Sequence, residues 1–431
     1  MFTLDKNTPL SVDLIQQYLN LNIAETARQE KLYKYYVGNH SILNRVLADS
    51  TKPNNRIVNP YAHYITDMMT GYFMGIPVKY QSSDEDLMNE LSAIFNYNDE
   101  SANNADIATD ASIYGVGYEM MFLDEDGQIR FKRIDPRGCI PIFENTIEGD
   151  LLYFIRTYEE IDVLTNVATV YVDVYSRYDL KHYKYLTGSL SLLSEQEHQW
   201  GLVPINIYAN NLNGLGDFET VISEIDAYDK LESDSLNEME YTADCYLALY
   251  GLQGTEAEDI SRMKEQRVLL LPENTSAQWL TKSINDTYLE NEKSRLDENI
   301  HKFSFCPALT DKDFAGNASG VAMKYKLMGL ENATAKKERA FKIGLQRRIE
   351  QICNLLSVLG TDYDYRAVSI IFTRNIPVNI VEMSDVINKI GHLYSERTQM
   401  SLLPVEVDYE QEQELKQKES ESGYSIMDND L

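Results

Sequence analysis

The chain has 431 residues, with 39 lysines and arginines against 68 aspartates and glutamates, which gives a formal net charge of −29. A chain of this charge repels nucleic acid as a whole, which excludes nonspecific binding to free DNA as its general behaviour. Its 43% hydrophobic residues suffice for roughly two to four folded units, and its apolar runs fall far short of the roughly 20 residues of a membrane-spanning helix.

The first half of the chain predicts helices followed by strands. Ser11 is the expected N-cap of one or two helices that end by Val37, with a break near residues 20–22. Further helices are predicted from the apolar stripe of residues 61–72, which ends at Gly75, and at residues 84–95 and 106–114. Alternating stretches then predict strands, with a hairpin turn at Asp126–Gly127. The other strands are predicted at residues 115–123, 128–134, 151–158, 168–176 and 180–186.

Residues 218–250 predict one long helix with an acidic face. Apolar residues recur there every three or four positions, and nine acids accompany a single base, Lys230. Such a face is usually just solvated, and it gains a function only if it lines a confined space. A small insert at residues 251–283 and a second helix at 284–304 predict an antiparallel helical stalk with a knob at its end. The acids chosen as candidates are Glu224, Asp229, Glu232, Asp234 and Glu238.

A polar loop at residues 305–319 precedes a long basic helix at residues 320–361. No proline interrupts the helix, and Gly329 or Gly344 is a place where it can bend. The loop supplies the candidates Asp311, Lys312, Asp313, Asn317 and Ser319, and the helix supplies Lys324, Lys336, Lys337, Arg339, Arg347 and Arg348. We interpret these cations as partners of acidic surfaces on neighbouring subunits, with direct nucleic-acid contact or simple solvation as alternatives.

The last part of the chain predicts a strand at residues 362–379 and a helix at 384–395. The remaining residues are charged and contain few large apolar side chains, so we expect a solvated helix that frays into an acidic tail.

Motifs for catalysis are weak or missing in this sequence. There is no GxxxxGK(S/T) phosphate-binding loop, and AGNASG at residues 315–320 is better explained as a flexible loop before a helix cap. Asp124 and Asp126 begin like a calcium loop but lack the later glutamate, so a hairpin turn explains them. No catalytic residue, cofactor or metal site is therefore predicted.

The histidines and cysteines give no metal-binding spacing. The six histidines occur singly. The four cysteines lie far apart without a CxxC pair, and we expect buried thiols in a reducing cytoplasm. These residues are His40, His63, His182, His198, His301 and His392, and Cys139, Cys245, Cys306 and Cys353.

Four stretches, spread in order along the chain, resemble the siphophage-type portal family of tailed bacteriophages. They are YYVGNHSIL at residues 35–43, NRIVNPYAHYITDMMTGYFMGIPVKY at 55–80, AGNASGVAMKYKL at 315–327 and IIFTRNIPVN at 370–379. The resemblance covers roughly residues 20–410. The C-terminal part is short for this family, and residues 159–201 match its pattern more than its residues.

The resemblance implies an α+β portal fold, mostly helical, in seven segments. These are an α/β wing at 1–215 to which 362–379 returns, stem helices at 216–250 and 284–304, a small α/β clip at 251–283, a tunnel loop at 305–319, a long kinked helix at 320–361, and a short helical crown with an acidic tail at 380–431. In the family, the wing lies outside, and the tunnel loop projects into the narrowest part of a central channel.

The resemblance also implies a function: a dodecameric ring at one capsid vertex, through which double-stranded DNA is packaged and ejected. The implied partners are other copies of the chain, DNA bound without sequence preference, the terminase large subunit, a head-completion adaptor, and the major capsid and scaffolding proteins, but no membrane. The clip residues expected to dock the terminase and the adaptor are Glu256, Glu258, Asp259, Arg262 and Lys264. The expected location is the virion, with assembly in the host cytoplasm.

Two other functions stay open at this point. One is a terminase-like nucleic-acid-processing enzyme that uses Asp311 and Asp313 with a metal ion, which the missing phosphate loop argues against. The other is a minor head protein that binds the vertex without forming a channel.

Overall fold

The computed structural model describes residues 2–50, 52–186, 188–243, 246–250, 276–280, 286–308 and 325–375, together with 389, 391–393, 395–401 and 412–418. The chain divides into two units, Met1–Asp311 with Lys326–Arg374, and Lys312–Tyr325 with Asn375–Leu431. Helices and strands both build the first unit, so the predicted α+β class is confirmed.

The first two helices follow the sequence prediction closely. They are α1 (Val12–Leu21) and α2 (Ile23–Tyr36), and the break between them falls at Asn22. The Ser11 hydroxyl accepts a hydrogen bond from the Leu14 backbone N–H at 3.3 Å, which satisfies one of the free donors at the helix start. Both the predicted cap and the predicted break are confirmed.

Three more helices, α3 (Tyr61–Met74), α4 (Glu85–Tyr97) and α5 (Glu100–Tyr114), come before the strands. The predicted start of α5 at residue 106 is wrong, because the helix begins six residues earlier. Its first turns bury Glu100, Asn103 and Asn104. A search for apolar spacing misses a helix start whose buried face is polar.

The strands of the described residues are, in chain order, β1 (Phe2–Leu4), β2 (Lys79–Gln81), β3 (Val116–Leu123), β4 (Ile129–Ile134), β5 (Cys139–Glu144), β6 (Leu151–Asp162), β7 (Val167–Tyr175), β8 (Asp179–Leu186), β9 (Ser189–Glu197), β10 (Ile205–Ala209), β11 (Tyr246–Tyr250), β12 (Ser276–Leu280) and β13 (Ser369–Ile371). They form a six-stranded sheet in the order β1-β5-β6-β7-β8-β9, a three-stranded sheet β10-β3-β4, and the pairs β11-β12 and β13-β2. Strand β1 is parallel to β5, and the other pairs are antiparallel.

The predicted hairpin between β3 and β4 is confirmed. The Asp124 carboxylate accepts hydrogen bonds from the backbone N–H groups of Asp126 at 3.1 Å and Gln128 at 2.8 Å. Gly127 takes the left-handed conformation, with φ of +76°, which glycine adopts without strain. These aspartates therefore stabilise a turn, as the sequence indicated.

The long acidic helix is shorter than predicted. Helix α6 (Ile222–Ala243) ends before β11, so a helix that continues to residue 250 is wrong. The sequence YLALY is apolar at every position, and periodicity cannot separate helix from strand in such a run. These residues form a strand because they pair with β12, which lies far away in sequence. The predicted second helix is present as α7 (Asp286–Ser304).

Helix α8 (Met328–Val358) passes through the main core of the first unit and is continuous across Gly329 and Gly344. Its apolar side packs against α3, α4, β3, β4 and β10. Strand β13 follows α8 and pairs with β2, and its Ile370, together with Val368 just before the strand, joins the same core. The chain after α8 thus rejoins the N-terminal region.

In the second unit, the described residues form a short 3-10 turn at Gly391–Leu393, α9 (Glu396–Ser401) and a helical stretch at 412–418. Most of the helix predicted at 384–395 lies outside the described residues.

Candidate functional site

The basic helix α8 carries a buried ionic network centred on Arg348. The Arg348 guanidinium donates to Glu119 at 2.9 and 2.6 Å, to Glu100 at 3.1 Å and to Asn104 at 2.7 Å. The Tyr208 hydroxyl donates to the same Glu119 carboxylate at 2.9 Å. Burial disfavours the charge of Arg348, but the combined attraction of Glu119, Tyr208 and Tyr80 outweighs this effect, and the pKa of Arg348 is raised above its usual value. The network ties α8 to α5, β3 and β10.

Lys337, about three turns earlier on α8, is held in a similar way. It is 2% exposed and pairs with Asp217. Asp217 also accepts hydrogen bonds from the Ser112 hydroxyl at 2.5 Å and from the Asn210 amide at 2.8 Å. The interpretation of Lys337 and Arg348 as subunit-contact residues is therefore wrong, because both cations are buried and pair with carboxylates of their own protomer.

The remaining described cations of the basic helix lie nearer the surface. Lys336 and Arg339 are exposed, and neither has an ion pair within the described residues. Arg347 is half-buried and contacts Glu350 at 3.2 Å. Lys324 lies outside the described residues. Exposed Met328, Asn332 and Ile343 continue the stripe of Lys336 and Arg339 at helical spacing, and we call these five residues the α8 stripe.

The acids of α6 do not form one free negative face. Asp229 is fully buried and accepts hydrogen bonds from the His40 ring at 2.6 Å and from the Asn59 backbone N–H at 2.7 Å. Asp229 as a channel residue is therefore wrong, because its carboxylate holds α6 to the segment before α3.

Of the other four candidate acids of α6, Asp234 is exposed, and Glu224, Glu232 and Glu238 are half-buried. Asp234 pairs with Arg45 at 2.6 Å, and Glu232 pairs with Lys293 of α7 at 3.1 Å. Glu224 accepts from the Ser223 hydroxyl at 2.7 Å, and Glu238 is half-buried. Exposure of these acids to a channel stays a prediction.

The residues at the base of the predicted tunnel loop are fixed by polar contacts. The Tyr64 hydroxyl of α3 donates to the Pro307 carbonyl at 2.9 Å, and the His301 ring bonds to the Cys306 carbonyl at 3.0 Å. The start of the loop is thus held against α3 and α7. The five loop candidates and the five clip candidates named from the sequence lie outside the described residues.

Sequence reasoning missed both buried ionic clusters, although a signal was present. Lys337 and Arg348 fall on the same helical stripe as the buried Thr334, Phe341 and Leu345. A cation at a core position of a helix indicates a buried partner. The partners Glu119 and Asp217 lie far away in sequence and could not be identified from spacing.

Three of the four cysteines, Cys139, Cys306 and Cys353, are buried free thiols, as predicted. Burial raises the pKa of Cys353 to about 11 and that of Cys306 to about 12, which makes them poor nucleophiles at neutral pH. Cys245 lies outside the described residues. Across the part of the chain that the structure describes, no three metal-binding side chains cluster, and no helix has the length and apolarity to cross a membrane.

Comparison with known proteins gives a consistent family. The family model described as "Phage portal protein, SPP1 Gp6-like" matches residues 15–424. The portal protein of Clostridium phage phiCD119 is 24% identical over 400 residues, which cover 85% of this chain and 87% of that protein. The portal protein of Bacillus phage SPP1 is 22% identical over 323 residues, which cover 70% of this chain and 62% of that protein.

Among solved structures, a chain from the neck of an empty gene transfer agent particle shares 12% identity at a TM-score of 0.49, with 80% of this chain and 90% of that chain covered. A chain from the neck of the native particle shares 13% identity at a TM-score of 0.47, with 81% of this chain and 91% of that chain covered. Because the family model spans nearly the whole sequence, this chain belongs to the SPP1 Gp6-like family of phage portal proteins.

Proposed function

We propose that this chain is the subunit of a closed, dodecameric portal ring at one capsid vertex, which conducts double-stranded DNA during packaging and ejection. The observation that carries the proposal is the family match over residues 15–424. In this proposal the ring is not an enzyme. It docks the terminase large subunit and later a head-completion adaptor through residues 251–283, and it contacts the capsid and scaffolding proteins.

The charge of the chain supports a conduit that does not hold DNA tightly. At −29 per subunit, a ring repels the phosphate backbone, and salt limits this repulsion to DNA within about 8 Å of the wall. In this proposal the residues that contact DNA are the polar residues of the tunnel loop, Asp311, Lys312, Asp313, Asn317 and Ser319. Small polar groups can touch a backbone without reading bases.

The α8 stripe is the described surface that best suits a contact between subunits. It combines two cations that have no ion pair among the described residues with the exposed apolar side chains of Met328 and Ile343. A neighbouring copy offers acids such as Glu224 and Asp234 at the surface of α6. A mixed apolar and charged surface of this kind is typical of subunit interfaces.

Closed rings are the expected result when the purified protein is imaged by negative-stain electron microscopy. Their formation should depend on protein concentration, because each subunit contributes to two contacts in a ring. Monomers at every concentration, or ATP hydrolysis or metal-dependent nicking of DNA by the isolated chain, would contradict the proposal.

Reversal of the two exposed cations, in the variant Lys336→Glu, Arg339→Glu, should weaken ring assembly at low salt. Each exposed ion pair contributes only about 0.2–1 kcal/mol, but the loss recurs at every interface of the ring. Sedimentation velocity at low and high salt measures the assembled fraction, and high salt should reduce the difference from wild type. Lys132→Glu, at an exposed position of β4, is the control. Intact rings in the double variant would favour DNA contact for these cations.

A further inference from the structure

The turn between β6 and β7 displays apolar side chains to solvent. Val163 and Leu164 are 92% and 96% exposed, and Ile161 and Val167 beside them are also exposed. We call these four residues the apolar tip. Single exposed apolar residues are ordinary on a protein surface, whereas a contiguous group of this kind marks an interaction site.

The apolar tip is held in a defined shape. The Asp162 carboxylate accepts hydrogen bonds from the Leu164 backbone N–H at 2.9 Å and from the Thr165 hydroxyl at 2.8 Å. Asn166 adopts a left-handed conformation with φ of 53°, and its N–H bonds to the Asp162 carbonyl at 2.7 Å. The turn therefore presents Val163 and Leu164 in a fixed conformation, which lowers the entropy lost on binding.

A groove of about 630 Å³ lies at the opposite end of the same sheet. It is lined mainly by apolar side chains of β3, the ends of β7 to β9, and the C-terminal end of α8, where Val358 and Leu359 are exposed. We call it the apolar groove. A cavity of about 150 Å³ already accepts a benzene-sized group, so the groove has room for two aliphatic side chains.

The tip and the groove of one protomer cannot meet. Strand β7 begins with Val167 at the tip and ends with Tyr175 in the lining of the groove, so about 27 Å of rigid sheet separates them. Both belong to the first unit of the chain. A surface and its complement at opposite ends of one body favour head-to-tail association, which closes into a ring when the rotation between copies allows it.

The charges beside the two surfaces are also complementary. Glu159 and Glu160 are exposed on β6 next to the tip, and neither has an ion pair among the described residues. Arg177 is exposed on the turn that follows groove residue Tyr175, and it lies over the ring of Tyr178 at 5.8 Å. Arg177 beside the groove can therefore pair with Glu159 or Glu160 beside the tip of another copy. The groove lining also contains one carboxylate, that of Glu197.

We propose that the apolar tip of one subunit inserts into the apolar groove of the next copy of this chain. This contact rests on the proposed ring and adds to it an interface in the strand-rich region, distinct from the α8 stripe. In a closed ring every tip and every groove is filled, so no apolar patch of either kind stays in water.

The variant Leu164→Asp tests this contact, since a side chain that is 96% exposed can change without loss of folding. It should raise the concentration for half-assembly by about tenfold or more, because an apolar side chain no longer leaves water on association. Ile147→Asp, at a fully exposed apolar position of the β5–β6 turn, is the matched control and should leave the assembly concentration nearly unchanged.

A cross-link between copies gives a direct readout. Leu164→Cys and Val358→Cys proteins, purified separately and then mixed under assembly conditions, should be joined by a short bifunctional maleimide. Neither protein alone should react in this way, and neither should Leu164→Cys mixed with Ile147→Cys. The contact would be overturned if the wild type formed rings, Leu164→Asp assembled at the same concentration and no cross-link appeared. The tip would then be assigned to another partner. Failure of the wild type to form rings would instead overturn the proposed function.

Discussion

Replacement of Arg348 by methionine is expected to lower the free energy of unfolding by about 3–5 kcal/mol, because it leaves buried carboxylates without their cation. Glu119 is fully buried and Glu100 nearly so, and both point at the Arg348 guanidinium. Methionine fills much of the lost volume, so the missing charge is the main change. Urea unfolding followed by tryptophan fluorescence reports on this core, since Trp200 is buried in it.

The control for this experiment lies on the same helix. Arg339→Met makes the same chemical change at an exposed position and should alter the free energy of unfolding by no more than about 0.5 kcal/mol. Adding Glu119→Gln to Arg348→Met should recover part of the loss, because it removes one unpaired buried charge. The ionic network would not explain the stability of this core if Arg339→Met lowered the free energy of unfolding as much as Arg348→Met does. The same would follow if adding Glu119→Gln recovered none of that free energy.

Local signals in the sequence were enough to place many elements. The Ser11 cap, the helix break at Asn22 and the Asp126–Gly127 hairpin depend on residues within a few positions of each other, and all three are present in the structure. Strand β9 was not predicted. Its exposed positions, such as Leu192 and Leu193, do not alternate with buried ones, so the period-two signal of a half-buried strand is missing.

Charged side chains were harder to assign, because their partners lie far away in sequence. The sequence predicts the basic residues of α8 as one contact surface, yet Lys337 and Arg348 are buried and Lys336 and Arg339 are not. Asp229 falls within the predicted acidic face for the same reason, although its side chain is buried. Net charge along a segment gives no information on which side of a helix each charge lies, whereas the helical spacing of these residues relative to the core does.

Close packing is the remaining feature that a sequence cannot show. The sequence predicts that the helix can bend at Gly329 or Gly344. A Cβ atom at Gly344 would lie 2.5 Å from two ring atoms of Tyr208 and 2.9 Å from the Ile207 carbonyl oxygen. Helix α8 therefore approaches β10 more closely than any residue with a side chain allows. Gly344 permits contact between a helix and a strand, and no break in α8 is observed there.

Gly344→Ala should accordingly destabilise the protein by about 1–3 kcal/mol, the usual cost of overpacking a core. The added methyl group must displace the fully buried Tyr208, whose hydroxyl bonds to Glu119, so the strain reaches the Arg348 network. The change in the urea midpoint of unfolding, again followed by tryptophan fluorescence, measures the effect.

Gly329→Ala in the same helix is the matched control, and the opposite sign is expected for it. The nearest atom to a Cβ at Gly329 is 3.7 Å away, on Phe305, which is an ordinary contact. Alanine there should stabilise the helix by up to about 1 kcal/mol, because it restricts the unfolded chain more than glycine does. Stabilisation by both substitutions would mean that α8 and β10 can separate without cost, and that the close approach at Gly344 does not fix how the helix lies on the sheet.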